Sequence, residues 1–216
     1  MSIPDFLGAF YFYETETLTD RWGQEIDVEC QEIGHLILPT GSIVACDGLI
    51  PSTEPFAQKV TPGSYSVVLS LILSAQSQQV ACAMLRFKDT MPQTWKRADA
   101  VDLEESHGSG YGVDTATGCF ADLSAMLALL TAPEKYDRLR EEVYRHRNND
   151  WVDFRVSDDC NIIAFSSGEG DGKYPSYFGY DTAGNIVCLA TDFGMIAPLP
   201  GRPTETPSKF QLKLDF

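Results

Sequence analysis

The sequence predicts an α+β protein that is mostly β: an antiparallel sheet or β-sandwich built from hairpins, with one helical segment at about residues 122–147. Three observations carry this. From Tyr65, the residues Val67, Leu69, Leu71 and Leu73 alternate with Ser66, Ser70 and Ser74, the period of two that buries one face of a strand. Apolar runs come in neighbouring pairs joined by turn-forming residues, as at Asp181-Thr182-Ala183-Gly184-Asn185. Only one stretch spaces its apolar residues as a helix does. Strands arranged in hairpins argue against a doubly wound βαβ fold.

Taken in order, residues 1–34 hold eight acids (Asp5, Glu14, Glu16, Asp20, Glu25, Asp27, Glu29, Glu32) against Arg21 alone. They read as an acidic N-terminal segment packed on a single domain spanning 1–216, since no Pro/Ser/Gly-rich linker or repeat divides the chain. Asp5 comes before any Lys or Arg, so the start does not read as a secretory signal. Residues 36–46 (LILPTGSIVAC) read as strand, turn, strand about Pro39-Thr40-Gly41, ending at Asp47-Gly48. The alternating strand from Tyr65 to Ser74 pairs with a second from Val80 to Phe87. Asp122 then caps a short helix carrying Leu123, Met126, Leu127 and Leu130. Thr131 and Glu134 have capping-box spacing with Pro133 in the first turn, and Tyr136, Leu139, Val143 and Tyr144 continue at helical spacing. Arg138, Arg140, Arg145 and Arg147 mark its solvated face. Further strands follow at Cys160–Phe165, Tyr177–Tyr180 and Ile186–Thr191. The terminal KFQLKLDF alternates Phe210, Leu212, Leu214 and Phe216 with polar residues, as a half-buried strand does.

The net charge of −15 repels phosphates and anionic lipid, which excludes nucleic acid and membrane surfaces as expected partners and favours a basic protein. The apolar run at 65–75 is too short and too alternating to span a bilayer. Six cysteines, Cys30, Cys46, Cys82, Cys119, Cys160 and Cys188, are scattered without a CxxC. They read as reduced, mostly buried thiols of a cytoplasmic protein, and their spacing does not suit structural zinc. No cofactor motif is present.

Chemistry has few places to reside. Gly108-Ser109-Gly110-Tyr111-Gly112 and Gly168-Glu169-Gly170-Asp171-Gly172 are both GxGxG, neither a dinucleotide fingerprint nor a phosphate loop. Glu169 and Asp171 would repel phosphate. They suit a hard cation better, but the ligand number is short, and a tight turn whose glycines take positive φ and whose Asp171 accepts backbone hydrogen bonds is the favoured reading. Asp114 and Asp122 bracket Thr117-Gly118-Cys119-Phe120 and are candidate acid–base carboxylates, with a turn brace and a helix cap as their structural alternatives. If the chain is an enzyme, Asp114, Asp122, Glu169 and Asp171 form a metal-assisted hydrolase site. That requires the two glycine clusters to meet in space. A Cys119 nucleophile with His107 as base is the weaker catalytic option, and a buried structural thiol is the simpler account.

The segments LPTGSIVACDGLI, TPGSYSVVLSLI, YGVDTATGCFADL and SSGEGDGKYPSYFGYDTAGNIVCLATDF together resemble the bacterial domain of unknown function 4241 family, over about Leu36 to Phe193. The resemblance implies family-typical residues at Asp47, Tyr111, Asp114, Gly118, Asp122, Gly170, Asp171, Gly172, Tyr174, Asp181 and Asp192. In the family Asp47 is usually followed by proline, where this chain has Gly48. It carries over no catalytic residue. Tyr111, Asp171 and Tyr174 are the candidate binding positions. By type, small acidic bacterial proteins of this kind suggest a non-enzymatic binding protein such as an immunity-type inhibitor of a toxin.

Overall fold

A computed structural model describes residues 18–74, 78–99, 110–146 and 151–197. In chain order the strands are β1 (Leu18–Thr19), β2 (Glu25–Leu38), β3 (Ile43–Asp47), β4 (Gly63–Leu73), β5 (Gln78–Arg86), β6 (Thr94–Arg97), β7 (Tyr111–Val113) and β8 (Thr117–Asp122). Helices α1 (Leu123–Leu130) and α2 (Pro133–Arg145) follow, then β9 (Trp151–Ser157), β10 (Cys160–Ser166), β11 (Gly172–Tyr174), β12 (Ser176–Tyr180) and β13 (Ile186–Asp192). A large sheet has the order β1-β2-β4-β5-β13-β12-β6, a smaller one β3-β8-β10-β9, and β7 pairs with β11 alone. The pairings among these strands are antiparallel, so the mostly-β α+β class is the observed one.

The period of two in the small sheet sorts its residues into two cores. Ile43, Ala45, Phe120, Ile163 and Phe165 join Leu36, Leu69, Leu85 and Leu189 of the large sheet in one core. Their strand neighbours Val44, Cys46, Cys119, Ala121, Ile162 and Ala164 turn the other way and meet Met126, Leu129, Leu139 and Val143 of the helices. The result is three layers, large sheet on small sheet on helices. Among the described residues Phe120, Phe154, Phe165 and Phe178 are the largest fully buried side chains, and burying each such ring contributes about 1.5–3 kcal/mol.

Several expectations are corrected. Residues 36–46 do form strand, turn, strand, but β2 lies in the large sheet and β3 in the small one, so Pro39-Thr40-Gly41 carries the chain between layers. In the middle of β4 both faces are buried, and Ser70 is fully enclosed. The described part of the acidic stretch includes a sheet strand: Glu25–Leu38 is bonded along β4. Asp122 caps α1 as expected, its side chain accepting from the Ser124 amide at 2.9 Å. The helix nevertheless buries Ala125, Met126 and Leu129 and leaves Leu127 and Leu130 about half exposed. The cap sits at the end of a strand and is held by Thr40, which fixes the rotational phase of the helix independently of its leucines. The capping box at Thr131 does not form. Its hydroxyl donates back to the Leu127 and Ala128 carbonyls, closing α1, and α2 starts after Ala132 without a side-chain cap. The expected strand at KFQLKLDF lies outside the described residues. Among the described residues no helix is long and apolar enough to cross a membrane.

Candidate functional site

Asp47, the last residue of β3, is 4 % exposed. Its Oδ2 accepts the amides of Asp114 at 2.8 Å and Thr115 at 2.9 Å. Its Oδ1 accepts the Thr115 hydroxyl at 2.6 Å and the Leu49 amide at 2.8 Å. A buried carboxylate is stable only where donors replace its water, and here every donor is neutral. Asp47 therefore fixes the residues that lead from β7 into β8.

That segment turns sharply. Ala116 has φ of +55°, a left-handed conformation that costs a residue with a Cβ about 1–2 kcal/mol. It is held on both backbone groups: its amide donates to Asp171 Oδ1 at 3.0 Å and its carbonyl accepts the Ser167 amide at 3.2 Å. The Ser167–Pro175 loop is ordered as the glycines predict, with φ of +62° at Gly168 and +119° at Gly170. Ser167 Oγ donates to the Gly170 carbonyl at 2.8 Å, and the Tyr174 hydroxyl reaches the same carbonyl at 2.7 Å. The Tyr174 ring packs edge-on against Phe193, centroids 4.9 Å apart.

The described parts of the two glycine motifs, from Gly110 and from Gly168 onward, do meet. β7 and β11 pair with Tyr111 opposite Tyr174 and Val113 opposite Gly172. Gly110, at φ +112°, brings its backbone against the Tyr174 carbonyl, where a Cβ would lie 2.3 Å from the oxygen. The Tyr111 hydroxyl is buried beside Gly118, where a Cβ would stand 2.9 Å from it. It makes no hydrogen bond of ordinary geometry. Burial pushes this phenol well above its usual range, with the neighbouring Thr191 hydroxyl acting the other way.

The four expected acids do not converge. Asp122 sits at the opposite end of β8 from Thr117, about 16 Å along the strand. Its carboxylate is occupied by the Thr40 amide and hydroxyl and by the Ser124 amide and hydroxyl. Glu169 forms an ion pair with Arg21. Asp171 is exposed and braces Ala116, and Asp114 is exposed with its amide on Asp47. Among the described residues, no three His, Cys, Asp or Glu side chains are grouped to hold a metal ion. Cys119 is fully buried, and its hydrogen bond with Cys46, followed by burial, raises its pKa well above the usual thiol value. His107, its expected base, lies outside the described residues.

The cleft that this scaffold shapes is lined by other residues. Thr115, Ala116 and Thr117 form one wall of a cleft of ≈ 370 Å³ at the end of the small sheet. Val143 and His146 come from the end of α2, and Trp151, Ala164 and Ser166 from β9 and β10. A neighbouring cleft of ≈ 490 Å³ shares His146 and Trp151 and adds Ile33, Gln78, Glu142 and Asp153. Asp47 and Asp171 thus hold the cleft wall from behind. Thr115 and Thr117 were within reach of sequence reasoning, since they lie inside the YGVDTATGCF motif. His146 and Trp151 carried no signal, because a helix end and a strand start become neighbours only on folding.

Neither a curated protein nor a solved structure matches the chain. The family model described as "Protein of unknown function (DUF4241)" matches residues 36–191, from the end of β2 through β13, and the chain belongs to that family.

Proposed function

We propose that this chain is a non-enzymatic, cytoplasmic binding protein whose acidic surface receives a basic protein partner, in the manner of an immunity-type inhibitor of a toxin. The observation that carries this reading is the run of exposed Glu25, Asp27 and Glu29 along β2 in a chain of net charge −15. Alternate residues of a strand share a face, so these three carboxylates present one negative row. Such a row attracts a basic cleft over several ångströms and raises the rate of encounter. Of the four carboxylates that would serve chemistry, three are engaged in structure: Asp122 with the amides and hydroxyls of Thr40 and Ser124, Glu169 with Arg21, and Asp171 with the Ala116 amide. The six free thiols support a reducing compartment.

Affinity capture from the native host tests this. The expected result is a stoichiometric basic protein, released by salt. Replacing Glu25, Asp27 and Glu29 together by lysine slows its association by tenfold or more, in line with the range of electrostatic steering. Capture of no stoichiometric protein overturns the reading, as does a partner indifferent to the triple change.

A further inference from the structure

We propose that Cys46 and Cys119 are a modification site, a dithiol that hydrogen peroxide converts to an intramolecular disulfide. The two residues are direct partners across the β3–β8 ladder, and their sulfurs lie 3.6 Å apart. The Gly48 amide donates to the Thr117 carbonyl and the Leu123 amide to the Ser42 carbonyl. Counting inward by twos from either pair places Cys46 and Cys119 opposite each other at a hydrogen-bonded position. Such positions hold Cα atoms about 5.5 Å apart, inside the range of about 4.4–6.8 Å that a disulfide spans. Opposed residues at such a position hold their Cβ atoms about 5.5 Å apart, and a disulfide needs about 3.5–4.5 Å, so closing the bond requires side-chain rotation and an approach of the two strands by about 1 Å.

The pair is asymmetric. Cys46 is 5 % exposed and Cys119 is fully buried, so Cys46 is the more accessible residue of the pair and the one on which a small oxidant acts first. The Cys46 thiolate attacks one oxygen of the peroxide and the O–O bond breaks. This leaves a sulfenic acid on Cys46, and the departing hydroxide takes up a proton to become water. The Cys119 sulfur then attacks the Cys46 sulfur and the S–O bond breaks. The leaving hydroxide takes the Cys119 proton and departs as a second water. Two thiols lose two electrons in total, and one peroxide is reduced to two waters. Cys82 and Cys160 have oxygen neighbours, Asp192 and Ser157, and Cys30 is exposed.

The test uses the full chain carrying Cys30→Ser, which removes the exposed thiol as a source of intermolecular bonds. Folded protein is treated with peroxide, denatured with an alkylating reagent and mapped by mass spectrometry. The expected result is loss of two hydrogens and one cross-linked peptide pair joining Cys46 to Cys119, reversed by dithiothreitol. In the same background Cys119→Ala stops at a Cys46 sulfenic acid that dimedone traps when it is added together with the denaturant. The proposal is overturned if both thiols are alkylated in full after peroxide, or if Cys46 proceeds to sulfinic acid while Cys119 stays free. Should Cys119→Ala fail to fold, the Cys30→Ser peptide map decides alone.

Discussion

Asp47 and Asp171 hold adjacent residues of one turn, Thr115 and Ala116, by different means. Asp47 is buried and satisfies four neutral donors with its two oxygens. Asp171 is exposed and uses one oxygen for one amide. Both are aspartates beside a glycine, Asp47 before Gly48 and Asp171 between Gly170 and Gly172, and read alike in the sequence. The difference teaches that the energetic weight of a carboxylate follows from its own burial and from how many donors share it, since a buried polar group left unpaired costs about 1–3 kcal/mol and an exposed one is rescued by water.

The largest expected effect breaks the comparison at Asp47. In Asp47→Asn, an NH2 group faces donors that need an acceptor whichever way the amide is turned. The expected loss is about 3–5 kcal/mol, read as a lower denaturation midpoint in urea. A loss under about 1 kcal/mol would mean that Asp47 does not hold the turn. Next comes Gly110→Ala, which sets a Cβ against the Tyr174 carbonyl at an unfavourable φ. A loss of about 2–4 kcal/mol is expected, with faster amide exchange in β7 and β11 as the accompanying sign.

Smaller effects sharpen the same contrast. Asp171→Asn keeps an oxygen for the Ala116 amide, so the cost is about 1 kcal/mol or less. Equal losses at Asp47 and Asp171 in paired urea titrations would remove the distinction between the two. Tyr174→Phe loses the hydroxyl contacts with the Ser167 and Gly170 carbonyls and is expected to cost about 1 kcal/mol. Tyr111→Phe loses no well-formed bond and is expected to be neutral or slightly stabilising at pH 7. The two phenols are raised by burial, Tyr111 well above its usual range. A phenol that holds its proton longer when folded gives stability that is full below the unfolded value of about 10 and is lost as pH rises toward the folded value. Melting of the wild type should therefore fall steeply above about pH 10, and less steeply in Tyr111→Phe.

The legible parts of the fold were those with local causes. The β4–β5 hairpin followed from alternation, the Asp181–Asn185 turn from residues that bond their own backbone, and the Asp122 cap from its place before a helix. The loop at Ser167–Pro175 was legible because closely spaced glycines signal positive φ. Less visible was the strand β2, whose Glu25–Glu32 half alternates charge with modest apolar residues and reads as polar. Of the candidate site residues, Asp171, Tyr111 and Tyr174 fell together through the β7–β11 pairing, while Asp122 did not.

By itself the sequence determined the class of the protein, its acidity, its family and those strand and helix segments with a clear period. These depend on periodicity, turn chemistry and composition, which act within a few residues. Only the tertiary structure decided that β2 and β3 part into different layers. It alone gave Asp47 four donors and Asp171 one, set Cys46 opposite Cys119, and brought His146 and Trp151 to the cleft that Thr115 and Thr117 wall. Those outcomes rest on contacts between residues tens of positions apart. What a carboxylate or thiol does is set by the donors, sulfurs and water around it, and these are assembled only when the layers close.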